Sequence, residues 1–104
     1  MQVEVLVVPD CPNAETTATV VRRALDEFGL SAVPITTVLV TSQEQAEQAG
    51  FVGSPTIMID GRDPFADTSQ KPALTCRLYR DGATLTGTPP AEHVRRAIQT
   101  AIGP

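Results

Sequence analysis

The side chains best suited to nucleophilic chemistry near neutral pH are the thiols of Cys11 and Cys76. Cys11 lies in Asp10-Cys11-Pro12-Asn13-Ala14, between a short apolar run and a helical repeat, so its sulfur is expected at the N-terminal end of a helix. Unpaired backbone N–H groups and the positive end of the helix dipole there favour thiolate over thiol, while the Asp10 carboxylate opposes it. A thiolate so placed attacks disulfides or oxidised thiols. Cys76 lies in the run Thr75 to Arg80 and alternates in phase with Leu78, which predicts a small buried hydrophobe with Arg77 and Tyr79 on the opposite face of a strand.

Other chemistries find little support. His93 is the single histidine, so no histidine pair can hold a metal, and Asp60, Asp63 and Asp67 lack the spacing of a calcium loop and read as solvated turn carboxylates. No phosphate loop, serine elbow or H-E-x-x-H pattern occurs, and no metal or cofactor is expected. Eight basic and twelve acidic side chains give a net charge of −4, the wrong sign for a phosphate backbone. Trp is absent and the aromatics are Phe28, Phe51, Phe65 and Tyr79, which offer no stacking platform, so nucleic acid is not an expected partner. The apolar run Val5 to Val8 stops at Pro9, too short for a signal peptide or a membrane span, and two cysteines are too few for a disulfide scaffold. A cytoplasmic, reducing location with no membrane partner is the expectation.

The elements that must position the thiols follow from periodicity. A chain of 104 residues with 41% apolar content predicts one domain over 1–104. Val3 to Val8 reads as a strand apolar on both faces, with Val3, Val5 and Val7 on one and Leu6 and Val8 on the other. Pro12 suits the first helical position, and Ala14, Ala18, Val21, Leu25 and Phe28 form one helix face ended by Gly29. Val33 to Val40, with Pro34 near its start, predicts an edge strand. Ser42 with Gln45 forms a capping-box pattern for a short helix closed by Gly50. Pro55 to Ile59 predicts a third strand ending at the Asp60-Gly61 turn. The stretch from 62 to 74 lacks a period and reads as an inserted loop that Phe65 pins down. Thr75 to Arg80 predicts a fourth strand, a less regular stretch runs to Gly87, and Thr88-Pro89-Pro90 opens a helix with Val94, Ala97, Ile98, Ala101 and Ile102 on one face.

This α/β order, β-α-β-α-β-β-α, resembles the minimal thioredoxin fold. Two motifs strengthen the resemblance: Cys11 to Ala14 between the first strand and helix, and Ser54-Pro55-Thr56 before the third strand, where thioredoxin-like proteins hold C-x-x-C and a cis-proline. More closely, the chain resembles short thioredoxin-like proteins with D-C-P-N, G-S-P-T, G-R-D-P-F-A and C-R-L-Y motifs, some labelled alkylmercury lyase, a chemistry these motifs do not by themselves require. The resemblance implies a four-stranded mixed sheet of order 2-1-3-4 with helices on both faces, and a cis Ser54-Pro55 peptide apposed to Cys11. It also implies that the backbone of Ser54 pairs with an extended substrate peptide, with Pro12, Ser54, Pro55 and Thr56 supporting Cys11.

Ala14 stands where a dithiol thioredoxin has its resolving cysteine, so the resemblance implies a monothiol oxidoreductase acting on a protein or small-molecule thiol or disulfide. The resolving sulfur is then an external thiol or Cys76. Pro9-Asp10 argues against tight glutathione binding, because glutathione-using relatives usually have a basic residue there. A fourth strand hairpinned onto the third puts Cys76 roughly 16 Å from the Cys11 end at about 3.3 Å per residue. Disulfide formation needs Cα atoms within about 7 Å, so a direct bridge requires the 62–73 segment to re-route the strand. Two alternatives stand beside the oxidoreductase: a noncatalytic peptide-binding module at Ser54-Pro55, and a thiol-based binder of soft heavy metals using Cys11 and Cys76.

Overall fold

Apolar side chains on both sides of one short strand set the architecture. β1 (Val3–Val7) buries Val3, Val5, Leu6 and Val7, and such a strand needs a covering layer on each face. The computed structural model, which describes residues 1–103, has both layers. The remaining elements are α1 (Ala14–Glu27), β2 (Ile35–Leu39), α2 (Gln43–Ala49), β3 (Thr56–Ile59), β4 (Tyr79–Asp81), β5 (Thr84–Thr86) and α3 (Ala91–Ile102).

β1 is the middle strand of the order β2-β1-β3. It runs parallel to β2, from Val3 opposite Ile35 to Val7 opposite Leu39, and antiparallel to β3, from Val3 opposite Ile59 to Leu6 opposite Thr56. On one face Val3, Ile57 and Ile59 pack with Val21, Ala24 and Leu25 of α1 and with Val94 and Ile98 of α3. On the other, Leu6 and Met58 pack with Val40, Ala46 of α2 and Phe51. Each fully buried aliphatic side chain contributes roughly 1.5–3 kcal/mol of transfer free energy, so these clusters hold the sheet. Ser42 and Gln45 form the capping box in full, and Gly50 ends α2 at φ 69°, where a side chain is disfavoured.

The sheet is not the four-stranded 2-1-3-4 arrangement. Its three strands keep the order 2-1-3, but β4 leaves β3 and pairs antiparallel with β5 in a separate hairpin, Tyr79 opposite Thr86 and Asp81 opposite Thr84. β5 falls in the stretch expected to be irregular, although Asp81-Gly82 is a hairpin turn signal. Of the expected strand Thr75 to Arg80 only Tyr79 and Arg80 lie in a ladder, that of β4 with β5, and the segment before it, 63–73, is folded back by polar contacts. Asp63 Oδ1 accepts the Phe65 N–H, and Phe65 packs edge-on against Tyr79 with ring centroids 5.5 Å apart.

Two boundaries also move. β1 ends at Val7, and α1 begins at Ala14, two residues after Pro12. Pro12 instead occupies a turn in which the Ala14 N–H donates to the Cys11 carbonyl at 3.3 Å, with Asn13 at φ −103°, ψ 5°. This is the geometry of a type I turn, whose second position favours proline as strongly as a helix start does.

Candidate functional site

Cys11 follows β1 by way of Val8, Pro9 and Asp10, and Asp10 reverses the chain with φ 60°. The thiol residue is half-buried and Pro12 beside it is exposed. Because α1 starts three residues later, Cys11 lies in the turn ahead of the helix and not within its first turn. The turn is backed by the chain entering α3. Gly87 comes so close to Asn13 that a Cβ there would lie 2.4 Å from Asn13 Nδ2, and the Thr17 hydroxyl donates to that of Thr88 at 3.4 Å.

Across β1, Ser54 Oγ accepts the Val8 N–H at 3.1 Å, which ties the Ser54-Pro55 turn to the chain just ahead of Cys11. The Ser54-Pro55 peptide is cis, and both residues are buried. The Tyr79 hydroxyl donates to the Pro55 carbonyl. Burial pushes the Tyr79 phenol well above its ordinary range, against the opposing pull of the Arg77 charge. Thr56 is fully buried; its hydroxyl donates to the Gly53 carbonyl at 2.6 Å and accepts from Arg77 Nη1 at 3.1 Å. Thr56 therefore braces the turn from inside.

The Ser54 backbone is not free. Its N–H donates to the Thr75 carbonyl at 2.7 Å and its carbonyl accepts the Arg77 N–H at 3.0 Å, so Ser54 and Cys76 face each other in a parallel bridge. The Ala73 N–H donates to the Phe51 carbonyl at 3.2 Å, and Gln43 Nε2 donates to the Pro72 carbonyl at 2.8 Å. Residues 73–77 thus form a strap along 51–54. The strap needs Gly53, where a Cβ would come within 2.8 Å of Arg77 Cβ and 3.1 Å of its backbone, at a φ of 143° that glycine tolerates.

This strap corrects two expectations about Cys76. The residue is exposed and not a buried hydrophobe; Leu78 is 57% exposed, whereas Arg77 is 3% and Tyr79 5% exposed, so the faces are the reverse of the expected phase. Nor does Cys76 stand at the far end of a hairpin from Cys11, because the 62–73 segment re-routes the chain to Ser54.

Arg77 explains the reversal. Its Nη1 donates to Asp63 Oδ2 at 2.6 Å and its Nη2 to the Phe65 carbonyl at 2.8 Å, and its guanidinium lies 4.7 Å from the Tyr79 ring centroid. A buried guanidinium keeps its charge only when so paired. Asp63 is accordingly no solvated turn carboxylate but the counter-ion that fixes the strap, with its side chain 7% exposed. Neither residue was expected at the site; the available signal was that each stands in a motif, Gly61-Arg62-Asp63-Pro64-Phe65-Ala66 and Cys76-Arg77-Leu78-Tyr79. Asp67, by contrast, is exposed, and its carboxyl is held below the ordinary value by the Ser69 N–H and hydroxyl.

A cavity of about 880 Å³ lies at the opposite end of the sheet, between the 60–65 turn and α3, and borders neither cysteine. Among the described residues no group of three or more His, Cys, Asp or Glu is placed to hold a metal ion, and no helix is long and apolar enough to cross a membrane.

No curated protein and no solved structure matches the chain. Residues 1–65, more than half of the 104, match the family model described as a thioredoxin domain, the stretch that carries Cys11, β1 to β3 and the Ser54-Pro55 turn; the chain belongs to the thioredoxin-domain family.

Proposed function

We propose that the protein is a thiol-disulfide oxidoreductase whose nucleophile is Cys11. The observation that carries the reading is the Val8 N–H to Ser54 Oγ bond, which joins the Ser54-Pro55 turn to the end of β1 beside a half-buried thiol. In the reaction the Cys11 thiolate attacks one sulfur of a disulfide; a Cys11–sulfur bond forms, the disulfide bond breaks, and the departing thiolate takes a proton from water. Protein or small-molecule disulfides are the substrate class. A cytoplasmic setting suits the reading, because its thiol pool returns the electrons.

The noncatalytic peptide-capture reading has weaker support, since the Ser54 N–H and carbonyl that would pair with a guest strand already bond Thr75 and Arg77. Reduction of bis(2-hydroxyethyl) disulfide by wild type and by Cys11→Ser, with iodoacetamide labelling followed by peptide mass, tests the proposal. The expected result is turnover and Cys11 labelling in wild type and a fall to the uncatalysed rate in the variant. Equal rates for both proteins, or a Cys11 that resists labelling while folded, would overturn it.

A further inference from the structure

The monothiol character implied by Ala14 leaves a mixed disulfide on Cys11 with no resolving sulfur in its own turn. The strap offers one. Thr75-Cys76-Arg77 runs parallel beside Ser54 and uses both of that residue's backbone groups, the N–H at 2.7 Å and the carbonyl at 3.0 Å. A guest strand bearing a disulfide would need these same two groups. Cys76 is the strap residue directly opposite Ser54, and Ser54 is bonded through its own side chain to Val8, three residues before Cys11. Both thiol residues lie in chain outside the named elements, and Cys76 is exposed.

From this we infer that Cys76 is the resolving thiol, held in the position of a substrate sulfur, so that Cys11 and Cys76 alternate between a dithiol and an intramolecular disulfide. The inference rests on the reading of Cys11 as nucleophile. After Cys11 has taken up one half of a disulfide, Cys76 loses its proton to water and its thiolate attacks the Cys11 sulfur. The Cys11–Cys76 bond forms, the mixed disulfide breaks, and the second half of the substrate leaves as a thiolate that is protonated. Two protein thiols are oxidised and one disulfide is reduced to two thiols; two equivalents of a low-molecular-weight thiol then reduce the protein, becoming a disulfide themselves. Because the strap occupies Ser54, the substrates that suit this cycle are small disulfides that need no backbone pairing there.

The positioning of Cys76 is assigned to Arg77, whose ion pair with Asp63 at 2.6 Å and bond to Thr56 at 3.1 Å anchor the strap to β3 and the loop behind it. Exposed Cys76 touches no core cluster, so its replacement by Ser leaves the fold in place, and circular dichroism verifies that for each variant.

The test treats the full chain with bis(2-hydroxyethyl) disulfide and reads intact mass and non-reduced peptide maps for wild type, Cys76→Ser, Cys76→Ala and Cys11→Ser. The expected result is that wild type loses two hydrogens and yields a linked Cys11–Cys76 peptide, with no lasting adduct. Both Cys76 variants should instead accumulate a near-stoichiometric mercaptoethanol adduct on Cys11. A wild type that holds the same adduct on Cys11 as the Cys76 variants overturns the resolving role and leaves the nucleophile intact. A Cys11 that takes no adduct in any protein overturns the nucleophile itself, and an adduct on Cys76 in Cys11→Ser that forms as fast as any wild-type reaction reverses the two roles and overturns the assignment.

Discussion

The chain from β1 to β3 and the segment from Asp63 to Leu78 are held in different ways. In the first, many apolar side chains share the work: Val21, Leu25, Ile57 and Phe51 are fully buried, in clusters on both faces of one sheet. In the second, no ladder of any length forms, and one buried ion pair, Arg77 with Asp63, gathers the bonds that fix the path. Truncating one of many buried apolar side chains removes that side chain's own share and leaves its neighbours packed, whereas a charge sealed from water loses its whole compensation with its partner. Asp63→Asn is therefore the substitution that breaks the comparison most directly. It leaves the Arg77 guanidinium buried without its counter-charge and is expected to cost about 3–5 kcal/mol in urea unfolding. Hydrogen exchange at the Arg77 and Ser54 amides should quicken with it, since those protons lie in the bonds between strap and turn. A loss below about 1 kcal/mol, the range of a surface pair, would show that the second segment is held by something else.

That division also separates what could be read in advance from what could not. The two-sided burial of β1, the capping box at Ser42 and the helix stop at Gly50 were legible because period, cap chemistry and glycine conformation act within a few residues. The strap was not. Alternation in Thr75 to Arg80 puts the apolar Cys76 and Leu78 on the inner face, but the face that is buried carries Arg77 and Tyr79, because Asp63, outside the run, neutralises the arginine. Hydrophobic pattern carries no record of a distant counter-ion. Pro12 has two readings for a related reason, since a turn and a helix start favour the same residue and its own type does not separate them. At the candidate site Cys11 and the Ser54-Pro55 turn were therefore visible, while the company kept by Cys76 depended on contacts between motifs.

Tyr79 gives an intermediate test, because it lies where the two segments join. It is the single tyrosine, its hydroxyl bonds the Pro55 carbonyl, and its ring meets both Phe65 and Arg77. Burial raises its pKa above the ordinary value of 10.0, so the folded chain holds the phenol proton more tightly than the unfolded chain does. The contribution is complete below pH 10 and shrinks above it, as the unfolded state ionises first, by about 1.4 kcal/mol per pH unit until the folded phenol itself titrates. Denaturant unfolding between neutral and alkaline pH should show this limb in wild type and a shallower one in Tyr79→Phe, with phenolate absorbance rising only as the fold is lost. Phenolate appearing in folded protein near pH 10 would mean that the junction is open to water.

The smallest effect is expected inside the first segment, and it sharpens the comparison by what it leaves alone. Ser42 Oγ accepts the Gln45 N–H at 3.1 Å while Gln45 Oε1 accepts the Thr41 and Ser42 N–H groups at 2.8 and 3.2 Å, so Ser42→Ala removes one half of a reciprocal cap. The loss should be about 1 kcal/mol. α2 touches the strap through the Gln43 to Pro72 bond, but the backbone bonds that align Cys76 run to Phe51 and Ser54, beyond the end of the helix. Fraying the start of α2 should therefore lower stability without changing how fast the Cys11–Cys76 disulfide closes. Asp63→Asn, which removes the counter-charge that anchors Arg77 next to Cys76, should slow closure even under conditions where the protein is fully folded. If the cap variant instead slowed closure more than the ion-pair variant, α2 and not the buried pair would be what aligns the strap, and the boundary between the two segments would have to be moved past Phe51.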